Sequence, residues 1–103
     1  MSKEESTNKK YQLDKLLVSE IRFFIMTLLT MYDEVDFNFL KKELDVTDGN
    51  LGVQLRKLED AEYLTAHKAF VDRKPRTTYT ITDLGAKQLK SHIDNISQYK
   101  DIL

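Results

Sequence analysis

The chain has 103 residues, a formal net charge of −1, 41% hydrophobic residues and no cysteine, with a pI near 6.1. That length supports one domain with a modest core, and the missing cysteine excludes disulfides, thiolate catalysis and cysteine-ligated zinc. The acidic balance excludes a diffuse polycationic surface, so any affinity for nucleic acid must come from cations gathered locally.

Residues 1–11 are polar and charged, including MSKEESTNKK, and are expected to form a flexible N-terminal arm before a folded domain over 12–103. The arm lacks the apolar middle of a secretory signal. No apolar run approaches the roughly 20 residues that span a bilayer. A cytoplasmic protein without membrane association is expected. From residue 12, Leu13, Leu16, Leu17, Ile21, Phe24, Ile25, Leu28 and Leu29 recur at helical steps and predict a long first helix. Ser19 either bends that helix or breaks it by capping a second segment from Glu20. Phe23 and Met26 lie off the main stripe. A helix with two apolar faces has two partners, here its own core and a second subunit, unless one domain buries most of its circumference.

Asp33–Val35 reads as a connector with room for a tiny strand, and Asp36 as the N-cap of a second helix whose inner face is Phe37, Leu40 and Leu44. Thr47 caps a third helix with Leu51, Leu55 and Leu58 as its buried stripe, closing near 60–62. Strands are predicted over 64–71 and 77–82 from their Thr, Val, Phe, Tyr and Ile content. Pro75 cannot donate to a ladder, which assigns 72–76 to the connecting tip. Thr82 caps a last helix of about 20 residues with Leu89, Ile93, Ile96 and Leu103 at a coiled-coil-like spacing. The fold class is mainly α with a small β-hairpin wing, in the order α1-α2-α3-β-wing-β-α4: a winged helix-turn-helix.

Two constellations bear on function. On the third helix, Asn50 and Gln54 stand one turn apart, and each offers the paired donor and acceptor that matches adenine in a major groove. Arg56 and Lys57 suit guanine or phosphate, and Thr47 with the helix-start N–H groups suits phosphate. Alternatively, all are ordinary surface polars on a structural helix. In the hairpin, Lys68, Arg73, Lys74 and Arg76 face a single anion, Asp72, and Thr77 and Thr78 add hydroxyls. Such a loop follows phosphates or enters a minor groove; otherwise it is a solvated turn that protects a sheet edge. His67 and His92 have no carboxylate at ligand spacing, so no metal is expected. No phosphate-cradling glycine loop, serine elbow or positioned carboxylate pair is visible, so neither a cofactor nor an enzyme activity is expected.

The segments SEIRFFIMTLL, VTDGNLGVQLRKLEDAEYL and FVDRKPRTTYTITDLG together resemble the winged-helix transcriptional regulators of MarR and ArsR type, within a small single-domain subgroup. The resemblance covers residues 13–97. It implies a homodimer, joined through its first and last helices, that binds pseudo-palindromic double-stranded DNA. Thr47, Asn50, Gln54 and Arg56 would then belong to the reading helix and Arg73, Lys74 and Arg76 to the wing. Arg22 would contact phosphate or form a buried hydrogen bond. The chain departs from its relatives at Gly52-Val53-Gln54, at Asp48, and at Glu62, where relatives carry glycine. Of these, Gly52, Val53 and Asp48 favour a rival reading, a winged-helix module that binds protein rather than DNA. The sequence names no effector ligand.

Overall fold

The computed structural model describes residues 13–100. The expected arm over 1–11 and the apolar position Leu103 lie outside the described residues. The elements are α1 (Glu20–Met31), β1 (Val35–Asp36), α2 (Phe37–Leu44), α3 (Asp48–Asp60), β2 (Leu64–Val71), β3 (Lys74–Ile81) and α4 (Asp83–Ser97). Four helices and a three-stranded antiparallel sheet of order β1-β3-β2 make a winged helix-turn-helix, the class expected from the sequence.

Capping chemistry sets the helix starts. Ser19, Asp36, Thr47 and Thr82 each accept a backbone N–H three residues ahead, from Arg22, Phe39, Asn50 and Gly85. The first apolar stripe is therefore not one helix. Leu17 and Val18 donate to the Asp14 carbonyl in a turn, and Ser19 restarts the chain as α1. The stripe's membership also differs from expectation. Met26 is fully buried and Phe23 half-buried, whereas Phe24 is exposed. Breaking the helix before Ser19 uncouples the phase of the upstream leucines from that of α1.

The hairpin is tighter than expected. Val71 pairs with Lys74, so the connection is Asp72-Arg73 alone and β3 begins three residues earlier than the predicted strand. Both loop residues have positive φ, 52° and 67°, as a two-residue type I′ turn requires. Pro75 lies inside β3 opposite Phe70. In an antiparallel ladder bonded and non-bonded pairs alternate. With 71 and 74 bonded across the turn, the Pro75 nitrogen points to the open edge that β1, paired only at Val35–Tyr79 and Asp36–Thr78, does not reach.

Ile25, Met26, Leu29, Leu40, Leu51, Leu55, Leu58, Leu64, Tyr79 and Leu89 build one core between the helices and the base of the sheet. Gly85 lets α4 close onto it. A Cβ there would stand 2.1 Å from the Tyr63 carbonyl oxygen and 2.8 Å from Met26 Cε. α4 ends at Ser97, after 15 residues rather than about 20, and Ile93 and Ile96 remain exposed. The buried α4 residue after Leu89 is His92. Its Nδ1 accepts the Asp14 backbone N–H at 3.2 Å, and its ring lies 5.9 Å from that of Phe23.

Candidate nucleic-acid interface

α3 buries Leu51, Leu55 and Leu58 and turns Thr47, Asp48, Asn50, Val53, Arg56 and Lys57 outward. Gly49 and Gly52 also lie on this side, and a Cβ at either meets no atom of the described residues within 4 Å. Nothing in the fold itself therefore calls for glycine there. Asp48 is neutralised by Lys41 of α2 at 2.8 Å. Arg56 lies 3.7 Å from Asp60, one turn ahead, with both side chains exposed. Lys57 has no ionic partner among the described residues.

Gln54 is half-buried and tied down. Its Oε1 accepts from Arg22 Nη1 of α1, and its amide donates to Asn50 Oδ1 at 3.0 Å. Arg22 is fixed in turn, since its Nε donates to the Leu16 carbonyl at 2.7 Å. Of the two roles implied for Arg22, the fold shows the hydrogen-bonded one. The link from Arg22 to Gln54 was not legible in the sequence, because the pair is 32 residues apart.

The wing carries its cations in two ways. Arg73 at the turn, with Lys74 and Lys68 on the strands, has no ionic partner among the described residues. Arg76 instead pairs diagonally with Asp36 at 3.2 Å, and Asp36 also caps α2 through Phe39 N at 2.7 Å. Thr77 is half-buried beside the start of α2. Two ion pairs thus tie α2 to the wing at one end and to the first turn of α3 at the other. Beyond Ala66 the hairpin leaves the core, and Phe70 is 77% exposed, the most exposed large apolar side chain among the described residues. Strand alternation alone continues the core face from Leu64 through Ala66 to Phe70. Only the shape of the fold reveals that none of the described residues covers its end.

A second polar cluster joins the turn before α1 to α4 through Tyr63. Tyr63 Oη donates to Asp14 Oδ2 at 2.6 Å and accepts from Gln88 at 3.3 Å. Burial, with the hydrogen bond and charge of Asp14 behind it, raises the Tyr63 hydroxyl above its ordinary pKa. Burial and the charge of Glu59 do the same to Tyr79. Asp14 caps its own turn through Leu16 N at 2.9 Å and also anchors Tyr63. Among the described residues no group of three or more His, Asp and Glu gathers as metal ligands do, and no helix is long and apolar enough to cross a membrane.

The chain matches the family model described as "Winged helix DNA-binding domain" over residues 21–100. It is 34% identical over 84 residues to the uncharacterized protein MJ0432 of Methanocaldococcus jannaschii, covering 82% of this chain and 91% of that one. Among solved structures it resembles a transcriptional regulator homologue from Pyrococcus horikoshii OT3 with TM-score 0.81 and 30% identity, over 94% of this chain and 95% of that one. A MarR-family regulator from Porphyromonas gingivalis W83, 20% identical, shares the fold with TM-score 0.66 over 82% and 81% of the two chains. The chain therefore belongs to the winged helix DNA-binding domain family and has the fold of MarR-type transcriptional regulators.

Proposed function

We propose that the protein is a cytoplasmic transcriptional regulator that binds specific sites on double-stranded DNA as a homodimer. The observation that carries this reading is the pairing of an exposed polar α3 face with a protruding, cationic hairpin, both braced on α2 by ion pairs. In a winged helix-turn-helix the second helix of the motif enters the major groove, and two such helices in a dimer meet successive grooves about 34 Å apart. Thr47, Asn50, Gln54, Arg56 and Lys57 are assigned to the groove, and Arg73, Lys74, Arg76 and Thr77 to the backbone alongside it. Arg73 and Lys74 are the cations free to meet phosphate, while Arg76 chiefly braces the wing against Asp36. The first and last helices supply the dimer contact: Phe24, Ile93 and Ile96 are 43%, 41% and 44% exposed in the single chain.

A filter-binding salt titration tests the wing. Each phosphate neutralised contributes a slope of about −0.9 to log K against log salt, so Arg73→Ala with Lys74→Ala, which removes two cations from each of the two wings of a dimer, should flatten the slope by about 3.6 and weaken binding to all duplexes alike. An unchanged slope would remove the wing from the interface. The exposed Phe70 favours a second reading, a module that docks on protein through its wing. Failure to shift random-sequence duplex DNA at low salt would decide for that reading.

A further inference from the structure

This inference rests on the DNA-binding reading and concerns which base edge α3 addresses. Arginine carries N–H donors and no acceptor. An amide facing a guanidinium must therefore turn its oxygen toward it, and Gln54 does so toward Arg22. The Gln54 nitrogen then points along α3, where only an acceptor suits it, and Asn50 answers with Oδ1. Asn50 is left with its own NH2 group outward, which has no partner among the described residues. The polarity of both amides is thus set from inside the protein by one donor-only residue, itself held by the Leu16 carbonyl.

We propose that Arg22 is a positioning residue that makes the Asn50–Gln54 pair present hydrogen-bond donors, and that this surface selects guanine over adenine. The chemistry of the base edges decides the preference. Guanine shows two acceptors, N7 and O6, in the major groove, whereas adenine shows N7 beside the N6 donor. An amide matches adenine by offering its donor and its acceptor together. Here the Gln54 oxygen is turned toward Arg22 and the Asn50 oxygen toward Gln54, so each keeps only its second lone pair. The donors that remain, the Asn50 NH2 and the second Gln54 N–H, match two acceptors. The adenine preference expected from residue types alone is thereby reversed by the tertiary contact.

Two substitutions separate the relay from the rest of the interface. Gln54→Glu keeps an acceptor for Arg22 but has no donor for Asn50. Arg22→Met releases the Gln54 amide to turn. Selection from a random-sequence duplex library with the parent chain should enrich guanine at a position that Gln54→Glu no longer enriches and that Arg22→Met shifts toward adenine. Replacing that guanine by 7-deazaguanine should weaken the parent by roughly fivefold or more and leave Gln54→Glu unaffected. Guanine retained at every position by Gln54→Glu, or adenine enriched by the parent where that variant changes, overturns the relay while DNA binding stands. A parent that retains no duplex at low salt overturns the DNA-binding reading and the relay with it. Should circular dichroism show Arg22→Met unfolded, Gln54→Glu and the 7-deazaguanine duplex still decide the question.

Discussion

Glu62 follows the C-terminus of α3 at φ 65°, in the left-handed region that crowds a Cβ against the backbone. The position makes the turn from helix to β2, with its N–H bonded to the Glu59 carbonyl at 2.9 Å. Glycine takes that conformation without strain, and a side chain there costs about 1 kcal/mol. Glu62→Gly should accordingly raise the urea midpoint by an amount equivalent to about 1 kcal/mol, less what glycine's freer unfolded chain takes back. Equal or lower stability would show that the Glu62 side chain stabilises the exit turn. The tyrosines give a pH prediction. Tyr63 and Tyr79 hold their protons more tightly in the fold than the ordinary value of about 10. Above that pH the unfolded chain releases protons that the folded chain keeps. The stabilisation is thus complete below about pH 10 and is lost as pH rises through the raised folded values. Urea midpoints should fall over that alkaline range, and Tyr79→Phe should lessen the fall. An identical alkaline loss in that variant would locate the titration elsewhere.

At the scale of elements, α3 combines poor intrinsic helix formers with open space. Gly49 and Gly52 each cost about 1 kcal/mol relative to alanine in a helix interior, and none of the described residues occupies the room they leave. Gly49→Ala and Gly52→Ala should therefore each stabilise the folded chain, by up to about 1 kcal/mol in thermal or urea melts. The same methyls should weaken duplex binding, because they stand on the face assigned to the groove. A stabilised variant that binds duplex as well as the parent would show that the α3 backbone does not approach DNA closely. The wing has a similar tension. Its two-residue turn places Asp72 and Arg73 at positive φ, where asparagine and glycine are favoured. The strained Arg73 is also a cation free to meet phosphate.

For the whole molecule, the exposed apolar positions outside α3 and the wing lie mostly on α1 and α4 together with the turn that precedes α1. Leu13, Leu17, Val18, Phe23 and Ile96 line one shallow apolar groove beside His92, and Phe24 and Ile93 stay exposed on the same two helices. If these faces join two copies, Phe24→Glu and Ile93→Glu should turn a dimer into a monomer in sedimentation analysis. Duplex affinity should drop with them, because two linked half-sites reinforce each other. A parent chain that sediments as a monomer would remove the dimer from the proposed function.

The order of elements was legible because it is written in local chemistry. Four capping residues precede four apolar stripes, and β-branched segments flank a basic turn. Each of these acts within a few residues, so Ser19, Asp36, Thr47 and Thr82 were readable as caps from the sequence alone. Other features depend on residues far apart in the chain. Pairing register, which no single strand carries, placed Pro75 in β3 rather than in the loop. Packing phase, reset by the break before Ser19, buried Met26 and exposed Phe24. The identity of Asn50 and Gln54 came from the sequence, but the direction in which their amides point was decided by Arg22, a neighbour that exists only once α1 crosses α3. A side-chain amide offers a donor and an acceptor with nearly the same shape, so the partner brought by the fold chooses which one it shows to the outside.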